Sequence, residues 1–197
     1  IFYKHTGGGV ETYTGAPLTV KQNATGILHE GEAYATEDIL YARMRRIVEA
    51  KIVGGEILLK AITDTSPDID GRAFRAALRL RQEFAGIMDI HVGAYPIFGF
   101  RRHGSDREIE LDRHAKHAQF LMGLPERDAR ADADNNVGFE GHLAILFEFA
   151  LKYGIPEIQV HVDQTNLPTE DGTECLVEAT KYLFARTPPD KWLHVWA

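Results

Sequence analysis

Cysteine is almost absent from this chain of 197 residues: Cys175 is the only one, so no internal disulfide can form. We expect its thiol to be buried on a helix and not to act as a nucleophile. The chain has no run of about 18 apolar residues, so we expect no membrane span. Basic residues are outnumbered, because the chain has 22 Lys and Arg but 29 Asp and Glu. The resulting net charge of −7 argues against binding to a nucleic-acid backbone.

The length suits one domain, residues 1–197, but it is short for a complete (β/α)₈ barrel, which needs roughly 250 residues. The chain does not start with Met, and Ala197 falls inside a predicted strand. Both features predict a fragment, a processed chain or a partial reading frame. The first ten residues lack the apolar core of a signal peptide, so we expect a cytoplasmic protein.

Apolar runs alternate with amphipathic segments along most of the chain. Residues 1–35 are rich in Gly and Thr, and we expect an irregular N-terminal segment there. Thr36 is a predicted N-cap, and Gly54 and Gly55 end the first helix. We predict helices over 36–53, 71–84, 106–116, 138–153 and 173–185, and strands over 56–62, 89–95, 118–124, 157–162 and 192–197. This α/β alternation predicts a parallel sheet covered by helices, either part of a TIM-type barrel or an open doubly wound sheet.

Polar residues follow several of the predicted strands, where parallel barrels carry their functional side chains. Asp64 follows the first strand, and His161 and Asp163 follow the fourth. Strand alternation would place His161 and Asp163 on one face, as a metal or proton-transfer site requires. The alternative is a structural histidine whose imidazole is hydrogen-bonded by Asp163.

Five stretches, taken in order, resemble the cytosine deaminase-like branch of the amidohydrolase superfamily, whose members are metal-dependent (β/α)₈ hydrolases. They are TGILHEGE at 25–32, the helix ATEDILYARMRRIVEAKIVGG at 35–55, RQEFAGIMDIHVGAYPIFGF at 81–100, GHLAILFEFALKYG at 141–154 and IQVHVDQTN at 158–166. The likeness runs over most of residues 14–185. It implies a partial barrel of amidohydrolase type.

The resemblance also implies roles for particular residues. His161 and His5 would be ligands of Zn²⁺ or Fe²⁺, with Asp163 or Asp64 assisting the attack of metal-bound hydroxide. The substrate would be contacted at Ile97 and Asn166, and Gln164 occupies the place of the glutamate that shuttles protons. Since an amide cannot take a proton from water, the usual general-base route is lost.

Other positions depart from the family pattern as well. Gly7 stands where the second histidine of the first metal-binding pair is expected, Ile62 replaces a histidine, and Ile97 replaces a substrate-binding glutamine.

Three hypotheses follow. The chain is part of a metal-dependent hydrolase or deaminase-like protein that cleaves a C–N bond of a cyclic or amide small-molecule substrate, with activity in doubt because of these replacements. Alternatively, it is a non-catalytic barrel relic or subunit that binds a small ligand or a partner. In the third, it is a complete small α/β domain with an accidental likeness. Exposed edge strands of a partial barrel predict either self-association into a homo-oligomer or a further part of the protein that covers them.

Overall fold

A computed structural model of the chain describes residues 11, 14–130, 137–165 and 167–197. Within these ranges the strands form one parallel sheet with the sequential order β1-β2-β3-β4-β5. Every neighbouring pair is parallel. The strands are β1 Leu58–Asp64, β2 Asp89–Tyr95, β3 Phe120–Gly123, β4 Glu157–Val160 and β5 His194–Trp196. Sequential order with helical crossovers is the topology of a (β/α) barrel, and it confirms the predicted fold class.

Helices connect the strands. They are α1 Leu18–Glu30, α2 Glu37–Val53, α3 Arg72–Glu83, α4 Asp106–Ala115, α5 Pro125–Asp128, α6 Gly138–Tyr153 and α7 Gly172–Phe184, with short 3₁₀ turns at Glu32–Tyr34, Pro67–Ile69 and Pro189–Lys191. Thr36 caps α2 as predicted, because its side chain accepts a hydrogen bond from the Ile39 amide. No helix in the described ranges is both long and apolar enough to cross a membrane.

The expectation of an irregular segment over 1–35 is wrong for α1. Ala24 and Leu28 are buried on this helix, although its sequence has a Gly and a Thr in its interior. Tertiary packing therefore stabilises α1, where propensity alone would not. The four-residue helix α5 was not among the predicted helices.

The outer face of the sheet carries the hydrophobic core. Ile90, Val92 and Leu121 are buried there and belong to one cluster that also contains Phe74 of α3 and Leu146 of α6. Because strand side chains alternate between faces, the helices cover this face and leave the other one more open.

The inner face carries polar side chains beside apolar ones, and the sheet curls around it. Lys60 of β1 contacts Glu157 of β4 at 2.6 Å, although two strands lie between them. In a flat sheet these positions would be about 14 Å apart, beyond the reach of two such side chains without curvature. The Lys60 ammonium also lies 5.7 Å from the centre of the Phe120 ring of β3, beneath this span. The contact therefore indicates a barrel-like arc and disfavours an open, flat sheet.

Candidate functional site

Among the titratable residues that were predicted to lie at the carboxyl edge of the sheet, His161 is the most exposed. Its backbone amide donates to Gly123 O at 3.0 Å, which extends the β4–β3 ladder past the end of β4. The ring is exposed and lies 6.3 Å from the ring of Tyr95, measured between centroids. Partial burial lowers the pKa of His161. The imidazole is therefore neutral at neutral pH, the form that coordinates metals.

Tyr95 lies beside it at the end of β2 and is buried. Burial raises the pKa of its phenol above the ordinary value, and the charge of Asp64 contributes further. The phenol therefore stays protonated and can donate a hydrogen bond, but it cannot serve as a base at neutral pH.

Asp64 is engaged in a buried clamp with His29 of α1. One carboxylate oxygen accepts from the Ser66 amide at 2.7 Å and from its hydroxyl at 2.6 Å, and the other lies 2.8 Å from His29 Nε2. The contact between Asp64 and His29 Nε2 is an ion pair, and its geometry is not that of an aligned hydrogen bond. On its other side, His29 Nδ1 contacts Asp68 at 2.7 Å. This engagement favours a structural role for Asp64 over the predicted catalytic one.

The electrostatics of the clamp follow from this geometry. Burial alone would lower the pKa of His29, but the close contacts with the charged carboxylates of Asp64 and Asp68 outweigh it and raise the pKa. The imidazolium thus joins α1 to the loop after β1. Sequence reasoning quoted the stretch around His29 for its family likeness but did not single out the residue, since its partner Asp68 is 39 positions away.

Asp163 does not share a face with His161. β4 ends at Val160, and Asp163 has a positive φ of 53°, so strand alternation does not extend to it. Its carboxylate accepts from the amides of Gly172 at 2.8 Å and Thr173 at 3.0 Å, at the start of α7. Hydrogen bonds from Thr173 lower the pKa of Asp163, with burial opposing them. The side chain therefore caps a helix, and it makes no hydrogen bond to His161.

Gln164 lies in a cleft of about 760 Å³ between the loop after β4, the loop after β3 and α1. Its Oε1 accepts from Gln22 Nε2 at 3.2 Å, and Gln22 Oε1 in turn accepts from Arg130. Sequence reasoning found Gln164 but missed Gln22 and Arg130. No local signal marks them, because these contacts join residues 142 and 108 positions apart.

The side chain of Ile97, a predicted substrate contact, is partly buried and packs against buried residues of the edge. Its neighbours are Tyr95, Met122 and Leu124. Its carbonyl accepts from Arg127 at 3.1 Å. The predicted positions His5 and Asn166 lie outside the described residues. Cys175, expected to be buried, is partly buried on α7 and lines the cleft.

Three carboxylates come together beside Gln164, those of Glu126, Asp163 and Glu170. Each of them already accepts backbone hydrogen bonds. Glu126 accepts from the Asp163 amide, and Glu170 accepts from Thr165 and Leu167 at 2.8 and 2.9 Å. These contacts explain the cluster as the support of the loop after β4.

A buried histidine and aspartate brace the loops behind the edge. Asp128 Oδ2 accepts from His142 Nδ1 and from the Phe100 amide, both at 2.7 Å. His142 Nε2 accepts from the Leu124 amide at 3.2 Å, so the ring hydrogen is on Nδ1. Gly99, with a φ of +68°, leaves room for the carboxylate, since a Cβ there would lie 2.3 Å from Asp128 Oδ1.

Comparisons with known proteins place this geometry in context. No family model matches the chain. An uncharacterized protein of Haemophilus influenzae is 27% identical over 159 residues, which are 81% of this chain and 55% of that protein. The chain thus spans about half the length of this curated relative.

Two solved structures resemble the fold. The crystal structure of 5-methylcytosine deaminase from Klebsiella pneumoniae, liganded with 5-fluorocytosine, has a TM-score of 0.69 and 20% identity, over 85% of this chain and 38% of that chain. The crystal structure of N-isopropylammelide isopropylaminohydrolase from Burkholderia multivorans has a TM-score of 0.52 and 20% identity, over 68% of this chain and 33% of that chain. The chain therefore shares the fold of part of these barrels, as the resemblance implied.

Proposed function

We propose that this chain is part of a metal-dependent hydrolase that cleaves a C–N bond of a cyclic or amide small molecule. The observation that carries the proposal is the neutral, accessible imidazole of His161 at the carboxyl edge of a curled parallel sheet. This edge is where such barrels carry their active sites. Two solved structures that share this fold are named for a deamination and an aminohydrolysis, reactions of the same class.

A metal site requires about three protein ligands and an open position. The donor chemistry of His161 fits Zn²⁺ or Fe²⁺, because its imidazole is neutral and makes no hydrogen bond to the described residues. Around it, however, the described ranges do not assemble a set of three ligands, and their one group with that spacing is the engaged carboxylate cluster. His161 is therefore proposed as one ligand, and His5 as a second. When bound, such a metal polarises water or a substrate carbonyl.

The residues near the edge limit how protons can move. The Gln164 amide cannot accept a proton at neutral pH, and the phenol of Tyr95 stays protonated. Asp64 and Asp163 are held by the clamp and by α7. Gln164 and Tyr95 can therefore bind and orient a ligand, but none of the four side chains is arranged as the general base that hydrolysis needs.

A second candidate function follows from that limit: a non-catalytic barrel that binds a small ligand through the same edge. It is favoured specifically by Gln164, whose amide is held by Gln22 in the place where the resemblance implies a proton-shuttling glutamate. In this case His161 and Tyr95 would contact a ligand that is not turned over.

Replacing Gln164 by glutamate separates the two candidates. We expect the Gln164→Glu variant, loaded with Zn²⁺ or Fe²⁺, to gain deamination of cytosine if hydrolysis has been lost by this one replacement. The exposed Gln82→Glu variant on α3 adds the same charge away from the edge and is the matched control. Ammonia release by the unmodified chain supports the hydrolase, whereas release by Gln164→Glu alone shows that this one replacement removed hydrolysis and supports the second candidate. No turnover combined with saturable binding of cytosine supports the binding protein, and the absence of both metal and cytosine binding would contradict both candidates.

A further inference from the structure

A chain of three side chains crosses the cleft beside Gln164. Arg130 donates to Gln22 Oε1, and Gln22 Nε2 donates to Gln164 Oε1 at 3.2 Å. All three residues line the cleft and are partly buried. We call this arrangement the amide relay. It connects α1, the loop after β3 and the loop after β4, which are far apart in sequence.

The direction of the relay is fixed by the chemistry of its first member. A guanidinium has five N–H donors and no acceptor, so the atom of Gln22 that faces Arg130 must be the carbonyl oxygen. The NH₂ group of Gln22 then faces Gln164, so the atom of Gln164 that accepts this hydrogen bond must be its carbonyl oxygen. Amide flips are thereby settled by the hydrogen-bond network. The consequence is that Gln164 keeps its NH₂ group, a pair of donors, for other partners.

The donors at the end of the relay have no partner in the described part of the chain. Gln164 Nε2 makes no hydrogen bond there, and only one of the five N–H groups of Arg130 donates to Gln22. Arg127 also lines the cleft, but its guanidinium donates to the Ile97 carbonyl at 3.1 Å; burial together with the charge of Arg130 lowers its pKa to about 10.

The acidic residues of the cleft are largely occupied. The carboxylates of Glu126 and Glu170 accept backbone amides of the loop after β4, and that of Asp171 is exposed at the start of α7. Within the described residues, the N–H groups of Gln164 and Arg130 therefore outnumber the acceptors available to them at this end of the cleft.

We propose that the amide relay binds a carboxylate of the ligand, with one oxygen facing the NH₂ group of Gln164 and the other facing the guanidinium of Arg130. Gln22 is then a positioning residue that orients Gln164 without contacting the ligand. The inference rests on the proposed function, and it narrows the substrate class to a ring or amide compound that carries a carboxylate. Charge-assisted hydrogen bonds make this group a major source of affinity.

Orotate and uracil test this proposal, because they share a pyrimidine ring and differ by one carboxylate. Both are titrated into the ¹⁵N-labelled chain, and binding is followed through the side-chain NH₂ signals of Gln22 and Gln164. We expect orotate to shift the Gln164 signal and to bind roughly tenfold more tightly than uracil, as one charge-assisted contact allows. Arg130→Met should remove this preference, while Arg81→Met on α3 should leave it intact.

Further variants separate positioning from contact. Gln164→Glu places a carboxylate against the ligand and should abolish orotate binding. Gln22→Met should weaken orotate binding and broaden or move the Gln164 NH₂ signal of the free protein, with the far-UV spectrum unchanged. A Gln164 signal that orotate does not move, or equal affinities for orotate and uracil in the unmodified chain, would overturn the proposal. Neither result bears on the proposed function, which is judged by metal binding and by turnover of cytosine.

Discussion

The brace between Asp128 and His142 allows a quantitative prediction about what holds the carboxyl edge together. Both side chains are fully buried, and Asp128 Oδ2 is the shared acceptor for His142 Nδ1 and the Phe100 amide. Alanine at position 128 leaves both donors buried without a partner, at a cost of about 1–3 kcal/mol each. The unpartnered Oδ1 is removed at the same time, which returns part of this cost. We therefore expect Asp128→Ala to lower the free energy of unfolding by about 3 kcal/mol.

Urea unfolding followed by circular dichroism measures this loss, with the denaturant dependence expected to stay unchanged. In a thermal scan the same loss corresponds to a decrease of the midpoint by roughly 10 °C for a chain of this size. Asp128→Asn keeps one acceptor oxygen and should lose about half as much. Asp190→Ala, at an exposed position, is the control and should change stability by less than about 0.5 kcal/mol. A loss below about 1 kcal/mol for Asp128→Ala would refute the reasoning, since it would mean that the two donors find other acceptors.

Four further predictions follow. The pKa of His29 is raised above its ordinary value of 6.5. The clamp therefore stabilises the fold fully below that pH, and this stabilisation is lost as the pH rises through the pKa of the folded state. The resulting pH dependence of the unfolding free energy should vanish in His29→Gln, and its persistence in that variant would contradict the clamp. Gly93→Ala should cost about 1–3 kcal/mol because a Cβ would lie 2.2 Å from the Phe120 ring, whereas Gly26→Ala, with open space in α1, should stabilise by about 0.5–1 kcal/mol in the same denaturation assay. Asp163→Ala should cost about 1 kcal/mol and increase amide exchange at the start of α7, and unchanged exchange there would argue against capping. The open inner face and edge strands predict self-association, and a monomer whose elution does not change on dilution in size-exclusion chromatography would contradict it.

The fold could be read from the sequence where local pattern and tertiary packing agree. The predicted bounds of β2 and of α6 match the structure, Asp89–Tyr95 and Gly138–Tyr153, because each segment is apolar on its buried side and ends at a Pro or a Gly. The helix α1 could not be predicted in this way. It is held by buried contacts such as that of His29 with Asp64, and these contacts have no local signature.

The same distinction between local pattern and tertiary contacts applies to the candidate site. The position of His161 at the end of a strand follows from the apolar run before it, and the resemblance added its proposed role. What Asp64 and Asp163 do could not be inferred, because their partners lie on other elements: His29 for the first, and the start of α7 for the second. Gln22 and Arg130 could not be identified from the sequence either, because neither belongs to a motif.

The central claim is that the carboxyl edge of this curled sheet is a metal-binding active-site edge with His161 as a ligand. It is tested most directly by zinc affinity, measured by competition with a chromogenic chelator, in the unmodified chain and in two variants. His161→Ala should lower the affinity by more than about tenfold, as loss of a ligand requires. His91→Ala is the matched control, because this histidine lies on the inner face of β2 and pairs with Asp89, away from the edge; it should leave the affinity unchanged. Equal affinities in all three proteins, or loss in the His91 variant alone, would contradict the claim.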